Sequence, residues 1–197
     1  MADLLVFLLS AGLSAPPHDA PPPAAGQESA ATATRDGVTL PLRRQAGDRE
    51  LVLNGLALRK KSIFKVYVAG LYVPAKSSNA DRILASDEPR VLVMQFLRGV
   101  DAEKMCEAWD EALEANTPEA PPQLRQQFAT LCSWMEEVEK GEQFVFAYVP
   151  GQGTTVEVRG RSKGTIEGKP FADALFKAWI GPKPGPGEDF KQDLLAG

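Results

Sequence analysis

Histidine is almost missing from this sequence. The only one, His18, sits in an alanine- and proline-rich stretch near the N-terminus, so a Ser/His/Asp triad, a Cys/His pair and a histidine-ligated metal are excluded from the rest of the chain. Cysteine is scarce too. Cys106 and Cys132 are too few for a disulfide scaffold and lack zinc-ligand spacing. They fall in two separate predicted helices and admit two readings, one bridge in an exported protein or a pair of part-buried free thiols. There is no GxSxG, no GxGxxG after a strand and no P-loop. The run Gly151-Gln152-Gly153-Thr154-Thr155 has no following helix whose N-terminus would hold a phosphate, so it reads as a hairpin turn. Positive charge is not in excess either. A net charge of -4 gives no global pull toward nucleic acid or anionic membranes, although local basic clusters still count.

No apolar run is long enough to span a bilayer. The longest, LLVFLLSAGLSA at residues 4–15, suits the apolar core of an export signal, with Asp3 before it in place of a basic residue and Pro16 after the small-residue site at Ala15. Residues 1–15 therefore read as a signal peptide and the protein as exported, to the periplasm. Residues 16–35 hold almost no large apolar side chain, cannot offset their ordering entropy by burial, and read as a disordered linker. Residues 36–197 are left as one domain of ordinary globular composition.

Within that domain, residues 51–61 and 63–73 are rich in β-branched and aromatic side chains and predict two strands joined by a turn at Ser62, which places Arg59 and Tyr67 in neighbouring strands. The second strand is apolar on both faces, so it lies centrally with protein on either side, and Gly70 marks a bulge or a close approach. A short strand over 37–42 precedes this hairpin. A short helix over 80–85, capped by Ser78 or Asn79, and a two-sided apolar strand over 90–97 follow. Asp101 N-caps a helix to residue 115 whose apolar face collects Met105, Ala108, Trp109, Ala112 and Leu113, with Asn116 two turns beyond Trp109. A second helix starts after Pro121-Pro122 and runs to residue 139. Strands over 142–150, 154–160 and 164–167, the last two separated by a turn at residues 161–163, form a meander. Pro170 opens a helix that turns Phe171, Leu175, Ala178 and Trp179 inward, and residues 188–195 form a short terminal helix. Strands, then helices, then strands, then helices make an α+β fold. Carboxylates such as Asp110, Glu111, Glu136 and Glu137 read as a solvated helix surface.

Three features carry a family resemblance: the pattern GxxxR from Gly55 to Arg59 followed by FKVYVAGLYV, the helix ending Glu114-Ala115-Asn116, and the closing AWIG with DLL after it. Together they resemble the chalcone isomerase family over residues 51–195. The resemblance implies an open-faced β-sandwich in which a large antiparallel sheet carries a layer of helices over a ligand cleft. It also implies site residues. Arg59 falls where the plant isomerases and the related fatty-acid-binding proteins keep an arginine for the anionic part of the ligand. Tyr67 falls where isomerases have a threonine and fatty-acid binders a nearby tyrosine. Trp109 replaces a catalytic tyrosine, and its indole has one N–H and no acceptor. Asn116 matches an active-site asparagine in type. Ala178 replaces a small hydroxyl residue that contacts substrate.

These substitutions favour a protein that binds a small anionic amphiphile, a fatty acid first, without isomerising it. The Arg59 guanidinium would meet the carboxylate, the Tyr67 phenol would add a hydrogen bond, and Trp109 and Trp179 would wall the tail. No catalytic residue, cofactor, metal or nucleic acid enters this reading. The enzyme alternative is an isomerase or intramolecular lyase in which Arg59 stabilises a phenolate or enolate. A third alternative is an interaction module whose cleft is filled by its own side chains, with Arg59 facing bulk water.

Overall fold

The computed structural model describes residues 31–196. The signal peptide and most of the linker expected from the sequence lie outside them. Two strands, β1 (Thr32–Arg35) and β2 (Val38–Pro41), form a ribbon. The chain then lays down a seven-stranded antiparallel sheet whose spatial order is its sequence order: β3 (Arg43–Ala46), β4 (Arg49–Lys61), β5 (Phe64–Val73), β6 (Arg90–Phe96), β7 (Gln143–Val149), β8 (Gly153–Val158) and β9 (Arg161–Ile166). Helix α1 (Ala80–Ala85) joins β5 to β6. Helices α2 (Ala102–Asn116) and α3 (Pro122–Ser133) join β6 to β7, and α4 (Lys169–Ile180) and α5 (Glu188–Leu194) follow β9. No helix among the described residues is long and apolar enough to cross a membrane.

The central strand β5 is buried on both faces, as its two-sided apolar sequence requires. One face carries Tyr67, Ala69 and Leu71 into the larger core, beneath the helices. The other carries Val68 and Tyr72 into a smaller core closed by Val38 and Leu40 of the β1–β2 ribbon. Gly70 is paired regularly, so it is not a bulge. It is a close approach, because a Cβ there would stand 2.7 Å from Leu40 Cδ1. The bulges lie elsewhere, at Asn54 of β4, between the pairs Leu53–Tyr72 and Gly55–Leu71, and at Val66 of β5, between the pairs Arg59–Tyr67 and Lys60–Lys65.

Three expected boundaries move. Strand β1 occupies residues read as linker, because its partner β2 lends it a hydrogen-bonded edge that composition does not reveal. Helix α3 ends at Ser133, six residues short of the expected end. Met135 and Val138 are nevertheless buried, and Val138 exchanges backbone hydrogen bonds with Val100, so the apolar spacing continues without the helix. Glu136 therefore lies on no helix face and is held by Arg159, Arg161 and Lys163. The β8–β9 turn is Arg159-Gly160, both at positive φ, and residues 161–163 belong to the strand. Cys106 and Cys132 form a disulfide that ties α2 to α3, with Cα atoms 5.2 Å apart.

Candidate functional site

The antiparallel register sets Arg59 of β4 directly opposite Tyr67 of β5, and Tyr67 opposite Phe96 of β6. Residues facing each other across a ladder share a face, so all three project from the helix-covered side. The bulge at Val66 of β5 interrupts the regular pairing beside Arg59 and Tyr67, a usual device for re-aiming side chains beside a site. Helix α2 supplies Met105, Trp109 and Ala112, and α4 supplies Ala178 and Trp179. Between these elements lies a cavity of about 390 Å³ bordered by Arg59, Tyr67, Trp109, Ala178 and Trp179. That is the volume range of small-molecule sites.

The cavity wall is largely apolar, with Arg59 and Tyr67 among its polar groups and charged side chains, Glu107 and Glu111 included, along its border. The Trp179 indole donates to the Tyr67 phenol oxygen at 3.2 Å, so the phenol's own hydrogen is not committed to that bond. Burial pushes the Tyr67 phenol up to about 12, against smaller opposing effects of the Trp179 N–H and the Arg59 charge, so at neutral pH it is a donor. Arg59 makes one side-chain hydrogen bond among the described residues, from Nη1 to the Pro186 carbonyl at 2.9 Å, which leaves most of its N–H groups available. The Trp109 indole N–H is buried and has no partner among the described residues. At the rim, Lys104 is paired with Glu107, while Lys61, Lys183 and Glu111 also border the opening. Among the described residues no cluster of His, Cys, Asp or Glu is arranged to hold a metal ion.

Asn116 does not border the cavity. Its amide Nδ2 donates to the Ala112 carbonyl at 3.0 Å and to the Lys183 carbonyl at 2.9 Å, and its Oδ1 accepts from the Lys183 N–H at 2.9 Å. The side chain that was expected to meet a ligand instead clasps the backbone after α4. Gly181 makes room for it, since a Cβ there would stand 2.7 Å from Asn116 Oδ1. The segment held this way carries Lys183, Gly185 and Pro186 along the cavity, so Asn116 and Arg59 grip one stretch of rim from two sides. Sequence reasoning also missed Asn54. It is 2% exposed and bonds the Ser77 and Leu194 backbones, and beside it Gly55 leaves room for the end of α5, where a Cβ would stand 2.3 Å from the Asp193 carbonyl. Helix α5 thereby sets Phe190 edge-on against Tyr67.

A sequence profile described as chalcone isomerase-like matches residues 32–196. The chain belongs to the chalcone isomerase-like family. Its fold agrees: a solved fatty-acid-binding protein of Arabidopsis thaliana superposes with a TM-score of 0.64 at 18% identity, over 84% of this chain and 96% of that one. No curated protein matches the sequence. The large antiparallel sheet under a layer of helices is the open-faced sandwich that the family resemblance implied. Arg59 borders a cavity, so the sign expected of a family member whose cleft is filled by its own side chains is not found.

The Tyr67 shift has a direct consequence for stability. A phenol near 12 in the folded state and near 10 when unfolded contributes stability in full below pH 10, and that contribution is lost as pH rises from 10 to 12. Two pKa units correspond to about 3 kcal/mol. Tyr72 and Tyr148, also pushed up to about 12 by burial, add to the alkaline loss. Urea unfolding at pH 9 and pH 12 should show Tyr67→Phe losing up to about 3 kcal/mol less than wild type over this interval; parallel losses would show that the Tyr67 phenol is not the group responsible.

Proposed function

We propose that this protein is an exported carrier or sensor of a small anionic amphiphile, a fatty acid first, held in the cavity without being isomerised. The observation that carries this reading is the composition of the wall: apolar surface with uncommitted donors at Arg59 and Tyr67. Such a set favours an acceptor-only head group, and a guanidinium matches a carboxylate in bidentate fashion. The carboxylate would meet Arg59 and the Tyr67 phenol, and the chain would run along Trp109, Trp179 and Ala178. The similarity to a fatty-acid-binding protein supports the ligand class. The non-catalytic part is supported by Trp109 and Ala178, which stand where the isomerases carry hydroxyl groups and cannot take over their proton chemistry. Export is supported by the apolar run at residues 4–15 and by the Cys106–Cys132 disulfide, a bond typical of oxidising compartments.

Native mass spectrometry of protein from its own host reads two of these points together. A mature N-terminus within residues 15–33 and a copurifying amphiphile are expected, whereas an intact Met1 contradicts export. Titration of the emptied protein with a long-chain carboxylate and its methyl ester, followed by tryptophan fluorescence, tests the head-group contact. Arg59→Ala should weaken the carboxylate by about 1.5–3 kcal/mol and leave the ester nearly unchanged. Equal effects on both would remove Arg59 as the anion contact. Chalcone turnover above background that vanishes in Arg59→Ala would establish the isomerase alternative instead.

A further inference from the structure

The β4–β5 hairpin ends in a tip that the fold leaves bare. Ile63 is 85% exposed and Phe64 53%, the two most exposed large apolar side chains among the described residues. Basic groups surround them. Lys60, Lys61 and Lys65 are exposed on the same hairpin, and the exposed Arg98 guanidinium lies 4.6 Å from the centre of the Phe64 ring. Lys65 is paired with Asp36 at 2.8 Å, while Lys60, Lys61 and Arg98 form no ion pair among the described residues. The tip is thus locally cationic on a chain of net charge -4.

We infer that this tip docks on an anionic lipid surface, with Ile63 and Phe64 entering the boundary between head groups and acyl chains and Lys60, Lys61 and Arg98 meeting lipid phosphates. Charge complementarity selects the occupant. A membrane interface accepts a small apolar wedge inside a basic collar. Two side chains at a turn fall far short of the area that a specific protein interface buries. A second copy meeting tip to tip would oppose like charges. The excess negative charge elsewhere repels the same surface, so the molecule approaches tip first. The same hairpin supplies Arg59, Lys61 and Val66 to the cavity border, so docking presents the opening to the bilayer. The inference goes beyond ligand binding and does not depend on it, since vesicle binding needs no occupant in the cavity.

Cosedimentation of the full chain with vesicles of phosphatidylcholine, alone or mixed with phosphatidylglycerol, tests it. Three unpaired cations give an expected preference of roughly 100-fold for the mixed vesicles, falling as salt is raised. Ile63→Ser combined with Phe64→Ser should abolish most of the binding, and Lys60→Glu should weaken it roughly 30-fold. These side chains are exposed, so the variants should keep the wild-type unfolding temperature. Arg49→Glu, at the opposite end of β4, should bind as wild type does. Equal binding to both vesicle types, no binding, or tip variants that bind normally would overturn the proposal. Self-association that depends on the tip and leaves vesicles untouched would overturn it in favour of a second copy of the chain.

Discussion

Asp173→Ala should destabilise the domain by about 3–5 kcal/mol, the cost of leaving a buried charge without its partner. Arg90 is only 1% exposed and lies between the rings of Tyr148 and Phe176, 4.9 and 5.0 Å from their centres. Its Nη1 donates to the Ile83 carbonyl at 3.1 Å, and its Nη2 pairs with the Asp173 carboxylate. Lys169 also reaches Asp173, at 2.6 Å, and donates to the Leu84 carbonyl. Removing the carboxylate would leave a desolvated guanidinium facing an ammonium. Arg90→Met removes the buried charge itself and should cost much less, because an apolar side chain can replace an ion pair at little net loss. Urea unfolding of both variants checks this. Equal costs would mean that Asp173 does not compensate Arg90.

Trp179→Ala should cost a further class of energy, about 3–5 kcal/mol from lost burial and an unfilled void. The indole is 1% exposed, edge-on to Trp109 with ring centres 5.4 Å apart, packed on Phe146 and Phe176, and bonded to the Tyr67 phenol. For a domain of this size the unfolding temperature should fall by roughly 6–20 °C. Trp179→Phe keeps most of the bulk and removes the donor, so its loss should be about half as large or less. If Trp179→Ala melts within a few degrees of wild type, the indole does not hold α4 to the sheet.

The strands and the helices that pack on them were legible because their side chains obey periodicity. Two-sided apolar runs announced β5 and β6, and the stripe through Phe171, Leu175 and Trp179 announced α4. Periodicity misled where burial outlasted helix geometry, as at Met135 and Val138. In the site, Arg59 and Tyr67 were legible as neighbours because a hairpin turn makes their pairing local. What stayed hidden depends on contacts between residues far apart in the chain. Asn116 clasps Lys183, Asn54 holds Leu194, and the Pro186 carbonyl meets Arg59. An asparagine at a helix end looks the same whether it faces a ligand or a backbone strand brought in by tertiary packing.

Because every strand of the large sheet pairs with its neighbours in sequence, most of the sheet can zip up by short loop closures. The cavity cannot. Pro186 and Phe190 supply the carbonyl on Arg59 and the ring against Tyr67, and both leave the ribosome after every strand of the sheet. Synthesis therefore passes through a stage in which β4 to β9 have emerged but the pocket lacks a wall, with Tyr67 uncovered and the Asn54 amide awaiting Leu194. Ligand can be captured only after Pro186 and Phe190 arrive, so maturation of the site waits on α5 rather than on the sheet.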